Sequence, residues 1–218
     1  YLQGEASLNR AIELDPSNAS AYAYLAILYA QQIINGQGAV SNLDKAIEAS
    51  RKALTFAPGT LETHWARGLV LEITSNYEDA IAEFEAAVAQ NPNITELHMA
   101  LGRNYRSLQK YDRAVEEFTR ASALNPTDPN PALNISRIYS GLGEFGRAVQ
   151  YAEQAVNNAP SDPFMYGNLG SMYFRNRQLD KALFALRLAV HGGVTPEGVV
   201  VEGLPLAPGR VGEYYYTY

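Results

Sequence analysis

No cysteine occurs among the 218 residues, so disulfides, thiol nucleophiles and cysteine-ligated zinc are all excluded. Histidine numbers three, and two of these alone make a poor metal site without a carboxylate or a third ligand. Positive charge is sparse: 17 Lys and Arg stand against 23 Asp and Glu, a net charge of −6. A nucleic-acid binder needs a concentrated basic surface, so no nucleic-acid partner is expected. Apolar runs are short as well. The window from Ala19 to Ala30 is the strongest candidate, and it falls short of the roughly 20 residues that cross a bilayer. No membrane span is expected. What remains is a composition with 47% hydrophobic and 18% charged residues, which argues against wholesale disorder.

Catalytic patterns are absent or accidental. Ser107-Leu108-Gln109-Lys110 has the spacing of a serine and lysine nucleophile pair but falls in a turn between two helical stretches, with none of the accompanying motifs. Gly36-Gln37-Gly38 follows no strand, so it is not a dinucleotide loop. Asn-x-Ser/Thr sequons at Asn18, Asn93 and Asn134 occur at about the rate that chance supplies. The expectation is a protein without enzymatic activity, cofactor or metal.

The organising signal is a period. Pro92, Pro126 and Pro160 are evenly spaced, and Ala80, Ala114, Ala148 and Ala182 keep the same step. A repeat of about 34 residues is the mark of a solenoid built from stacked helical units, none of which can bury its apolar face alone. Residues 1–16 read as a half unit, and full units occupy 19–58, 61–92, 95–126, 129–160 and 163–191. The first full unit is longer than the rest, since the interval from Pro16 to Pro58 exceeds that from Pro58 to Pro92. Its surplus falls between Tyr29 and Ala46, where Gln31 to Gly38 predicts an extended helix end and a glycine-rich loop. Residues 192–218 mix Gly, Pro and apolar residues without helical spacing. In that stretch Val199-Val200-Val201 predicts a short extended segment, and Gly212 to Tyr218 reads as the opening of a further repeat helix. The expectation is a window onto a longer array.

The unit from Thr95 to Pro126 carries Leu101-Gly102, Tyr105, Ala114, Phe118, Ala121 and Pro126 in order. With these residues, and their counterparts in the neighbouring units, the array resembles the tetratricopeptide repeat family. The resemblance covers Tyr1 to about His191. The departure is at the large aromatic near the start of each unit, which is Tyr22 or Tyr166 in two units and His64, His98 or Ala132 in the others. Histidine packed in place of the aromatic is the favoured reading of His64 and His98.

The resemblance implies an all-α protein, a right-handed α-solenoid of helix-turn-helix units, whose first helices line a concave groove that takes ligands. By position this assigns Tyr24, Trp65, Met99, Arg103 and Arg106 to a partner-binding surface in the first half. In the second half it assigns Asn134, Arg137, Asn168, Phe174 and Arg175. Arginine forks grip carboxylates and asparagine bonds an extended backbone, so a protein or peptide partner is expected. The alternative for the arginines is local ion pairing with Glu62, Glu72 or Glu96. The lysines of the family's carboxylate clamp are not supplied, which argues against a chaperone-tail specificity. A second expectation for function is end-to-end self-association through the terminal repeats, sensitive to polar substitution at Leu8 or in residues 214–218.

Overall fold

A computed structural model describes residues 2–36, 41–191, 194–195, 198–201 and 204–205. The described residues form eleven helices followed by three short strands. Contacts divide the chain into two compact units, Tyr1–Glu117 and Phe118–Tyr218. The first contains α1 (Leu2–Leu14), α2 (Ala19–Ile34), α3 (Ser41–Phe56), α4 (Leu61–Ile73), α5 (Tyr77–Gln90), α6 (Thr95–Ser107) and the start of α7 (Tyr111–Leu124). The second contains the rest of α7, then α8 (Asn130–Gly141), α9 (Phe145–Asn158), α10 (Pro163–Arg175) and α11 (Leu179–His191). After α11, β1 (Val194–Thr195), β2 (Gly198–Val201) and β3 (Leu204–Pro205) pair antiparallel in chain order. The extended segment expected at Val199–Val201 is β2, while the further helix expected over 212–218 lies outside the described residues. So do residues 37–40, which include the end of the glycine-rich loop expected within Gln31 to Gly38. The extended helix end before it is present: α2 runs 16 residues where α4 and α6 run 13.

Helix starts follow from their caps. The side chains of Asn18, Thr60 and Asp162 accept backbone N–H groups of Ala21, Thr63 and Phe164, satisfying donors that the first turn leaves open. Pro163 then opens α10 with a φ already suited to it. The turn inside each pair recurs with the period. Ser75, Gln109, Gly143 and Arg177 follow one another at the repeat step, and all hold positive φ, of 63°, 58°, 79° and 59°. Only one of the four is glycine, the residue that takes this conformation without strain.

Small residues and large ones are exchanged across the α4–α5, α8–α9 and α10–α11 pairs. Gly68 on α4 faces Phe84 on α5 so closely that a Cβ on the glycine would lie 2.6 Å from the ring. Gly170 on α10 faces Leu186 on α11 with 2.7 Å available. In the α8–α9 pair the glycine place is taken by Ser136, and the place of Phe84 by Ala152. The hydroxyl of Ser136 is buried and donates to the Ala148 carbonyl at 2.7 Å. Whichever residue gains atoms, its opposite gives them up, as interior density requires.

A second recurring device joins the helices. Tyr29, Tyr105 and Tyr173 donate their hydroxyls to Glu5, Glu85 and Glu153 at 2.6, 2.7 and 2.6 Å. Cations from the following helix lie over the rings of Tyr29, Tyr105, Tyr139 and Tyr173, namely Lys45, Arg113, Arg147 and Lys181. Where the period places Leu71 instead of tyrosine, it places Asp79 instead of the cation. His64 and His98 each have a partner of their own. Each Nδ1 pairs with a glutamate of the next helix, Glu83 and Glu117, at 2.7 Å. The His98 pair is buried, and its Nε2 donates to the Pro92 carbonyl at 2.9 Å. The histidines are packed, as expected, and each is tied to a carboxylate on the second helix of its own pair.

Candidate functional site

The residues assigned to the partner surface sit on the first helix of each pair. In Tyr1–Glu117, Tyr24 on α2 is exposed, while Trp65 on α4 and Met99 on α6 are half-buried. α2 carries no charged side chain at all. Arg103 on α6 is closed on Glu72 of α4 as a fork, its Nε and Nη2 donating to the two carboxylate oxygens at 2.7 and 3.0 Å. Both are largely screened from water, so this ion pair braces α4 against α6. The local pairing left open by the sequence is therefore what Arg103 adopts. Arg106, a turn later, is half-buried at the end of α6.

In Phe118–Tyr218 the first helices α8 and α10 carry Arg137 and Arg175 and no aspartate or glutamate. Arg137 is exposed. Its guanidinium lies 5.9 Å from the centre of the Phe164 ring, and Nη2 donates to Asn168 Oδ1 at 3.4 Å. The amide of Asn134 donates to the Asn130 carbonyl, and that of Asn168 to the Phe164 carbonyl, each at 2.9 Å. Phe164 and Phe174 are 56% and 64% exposed, unusual for phenylalanine on a folded helix. Arg175 ends α10 beside Phe174. Two helices with cations and exposed aromatics, and with no carboxylate past the Asp162 cap of α10, thus stand on a chain whose net charge is negative.

The same face holds a cleft. It measures about 430 Å³ and is lined by Pro163, Phe164, Gly167, Asn168, Ser171 and Ala189. Smaller clefts of about 260 and 180 Å³ lie among α1, α2 and α3 and between α3 and α4. The sequence reading included Asn168 but missed Phe164 and Gly167. Comparing columns across the period would have found Gly167, because Trp65, Met99 and Leu133 stand at the same place in the preceding units. Among the described residues no group of three or more His, Asp or Glu side chains is arranged to hold a metal ion. No described helix is long and apolar enough to cross a membrane.

Family models described as tetratricopeptide repeat match residues 7–49, 66–129 and 105–169. Among curated proteins none matches the chain by sequence. Among solved structures the chain is similar to PilW, described as a widely conserved type IV pilus biogenesis factor. The identity is 20%, over 87% of this chain and 85% of that one, with a TM-score of 0.73. PilF of Pseudomonas aeruginosa is also 20% identical, over 83% of this chain and 78% of that one, with a TM-score of 0.67. YrrB, described as a TPR protein with an unusual peptide-binding site, is 22% identical over 84% of this chain and 90% of that one, with a TM-score of 0.59. At these identities the likeness is one of fold.

Proposed function

This chain is a member of the tetratricopeptide repeat family, and from that premise we propose that it is a non-enzymatic scaffold holding a peptide or partner protein against its first helices. The observation that carries the reading is the α8–α10 face, with exposed Arg137 and Arg175, exposed Phe164 and Phe174, and no acidic side chain on either helix. Such a face suits an extended, acidic segment. Arginine supplies two parallel donors to a carboxylate, and aromatic surface supplies affinity with few rotors to immobilise. Asn134 and Asn168 add side-chain amides to the same face, the chemistry that a peptide backbone pairs with. Tyr24, Trp65, Met99 and Arg106 are proposed contacts on the first helices of Tyr1–Glu117. Arg103 is assigned a bracing part there through Glu72.

The test is fluorescence anisotropy of a labelled acidic peptide titrated with the full chain. Arg137→Ala combined with Arg175→Ala is expected to weaken binding by tenfold or more, while Arg103→Ala lowers the melting temperature first. Unchanged binding in the double variant would sink the reading.

A second reading, self-association, is favoured by α11. Leu179, Leu183, Leu186 and Val190 recur at helical spacing along it and are all exposed, Val190 to 78%. Light scattering across a concentration series decides it: mass that climbs, and is returned to monomer by Leu183→Glu, supports association, and a steady monomer removes it.

A further inference from the structure

Gly167 sits in the middle of α10, where glycine weakens a helix relative to alanine. Among the described residues nothing in the packing requires it. A Cβ at this place would meet only the Ala189 methyl at 3.8 Å, an ordinary contact, and the backbone is helical. The contrast is Gly170, one turn on, where a Cβ would collide with Leu186 at 2.7 Å. At the place of Gly167 the earlier units carry Trp65, Met99 and Leu133, all bulky and apolar. Gly167 lines the cleft of about 430 Å³, and a bulky side chain in its place would take up part of that space. A residue that breaks the local preference without a packing reason points to a site.

We propose that this cleft is a specificity pocket for one bulky apolar side chain, aromatic or long aliphatic, carried by an acidic segment of a partner protein. The proposal rests on the peptide-binding reading above and names what that surface selects. Phe164, Pro163 and the Ala189 methyl supply apolar wall. The two polar lining residues have turned their donors onto their own helix. Asn168 donates to the Phe164 carbonyl at 2.9 Å and Ser171 to the Gly167 carbonyl at 3.0 Å. The Ser171 hydroxyl proton and one of the two Asn168 amide protons are thus already satisfied on α10, and an apolar occupant strands neither of them. Charge complementarity sets the flanks. Arg137 stands over the outer wall, 5.9 Å from the Phe164 ring and bonded to Asn168; neither α8 nor α10 carries a carboxylate within its length, and that of the cap residue Asp162 accepts the Phe164 N–H.

The experiment uses labelled dodecapeptides of Asp, Ser and Gly with a single central Phe, Leu or Ala, titrated with the full chain by anisotropy. Three proteins are compared: wild type, Gly167→Ala and Gly167→Leu. The Phe or Leu peptide is expected to bind the wild type about tenfold to a hundredfold more tightly than the Ala peptide, the worth of one buried apolar side chain. Gly167→Leu is expected to abolish that preference and leave the Ala peptide's affinity as it was. Melting of Gly167→Ala at or above the wild-type temperature shows that the site tolerates a side chain. Equal binding of Phe and Ala peptides that still depends on Arg137 overturns the pocket and leaves the surface reading in place. A preference that survives in Gly167→Leu also overturns the pocket. Absence of binding by any peptide overturns both. Loss of self-association in Gly167→Leu, seen by light scattering, overturns the partner segment in favour of a second copy of this chain.

Discussion

Replacing Gly68 by alanine adds one methyl group to a helix, a change that ordinarily stabilises an exposed helix interior by about 1 kcal/mol. Here the new carbon would lie 2.6, 2.7 and 2.9 Å from three atoms of the Phe84 ring, where carbon contacts relax to about 3.5–4.0 Å. Phe84 is fully buried, so the ring has no open space to turn into, and α4 must move off α5 by roughly 1 Å. Overpacking of this kind costs about 1–3 kcal/mol, with a rigid ring at the upper end. Subtracting the helix gain leaves a destabilisation of about 2 kcal/mol. For a chain of this length that lowers the melting temperature by about 4–8 °C. The assay is thermal and urea unfolding followed by circular dichroism, with Gly167→Ala as the matched control. In that control the added methyl meets nothing closer than 3.8 Å. The double variant Gly68→Ala with Phe84→Leu should recover about 1 kcal/mol or more relative to additivity, since the smaller side chain vacates the contested space. A Gly68→Ala protein that melts at or above the wild type would refute the close-approach argument, and with it the reading of Gly170.

Three further outcomes follow from the same structure. Gln109→Gly, at a φ of 58°, should raise stability by about 1 kcal/mol in urea unfolding, because glycine takes that conformation without the Cβ conflict. The side chain of Asn104 is fully buried and its Oδ1 has no hydrogen-bond partner, while Val70, Ile138 and Met172 occupy the same place in other units. Asn104→Leu should therefore stabilise the chain by about 1–2 kcal/mol. Alkaline titration should expose the tyrosines. Burial, then the bond to the Glu5 carboxylate, raises Tyr29 from 10.0 to about 12, and burial with Glu153 raises Tyr173 in the same direction. A raised folded-state value means stability is full below about pH 10 and is lost as pH climbs through the folded value. Unfolding between about pH 10 and 12 should be postponed by Tyr29→Phe, and an unchanged alkaline midpoint would contradict the assignment.

Much of the helical framework was legible in the order of residues. The even step of Pro92, Pro126 and Pro160, and the small and aromatic residues between them, depend only on local rules of helix spacing and termination. Those rules act within a few residues and leave their mark in order along the chain. The packed role of His64 and His98 was legible for the same reason, since they replace an aromatic in a known column. Their glutamate partners were not, because Glu83 and Glu117 lie on the next helix and only the packing of α4 on α5 and of α6 on the start of α7 brings the groups to 2.7 Å. The sequence also offered Arg103 and Arg137 as equivalents, one period apart. Tertiary structure separated them. Glu72 sits opposite Arg103 and closes its fork, whereas among the described residues Arg137 meets an amide and an aromatic ring. Gly68, Gly167 and Gly170 are likewise the same letter in the chain. Whether such a glycine lets two helices touch or leaves a cleft open depends on what lies within 4 Å of the missing Cβ. That distance is set by Phe84, Ala189 and Leu186, each on the following helix, and no local rule reaches so far along the chain.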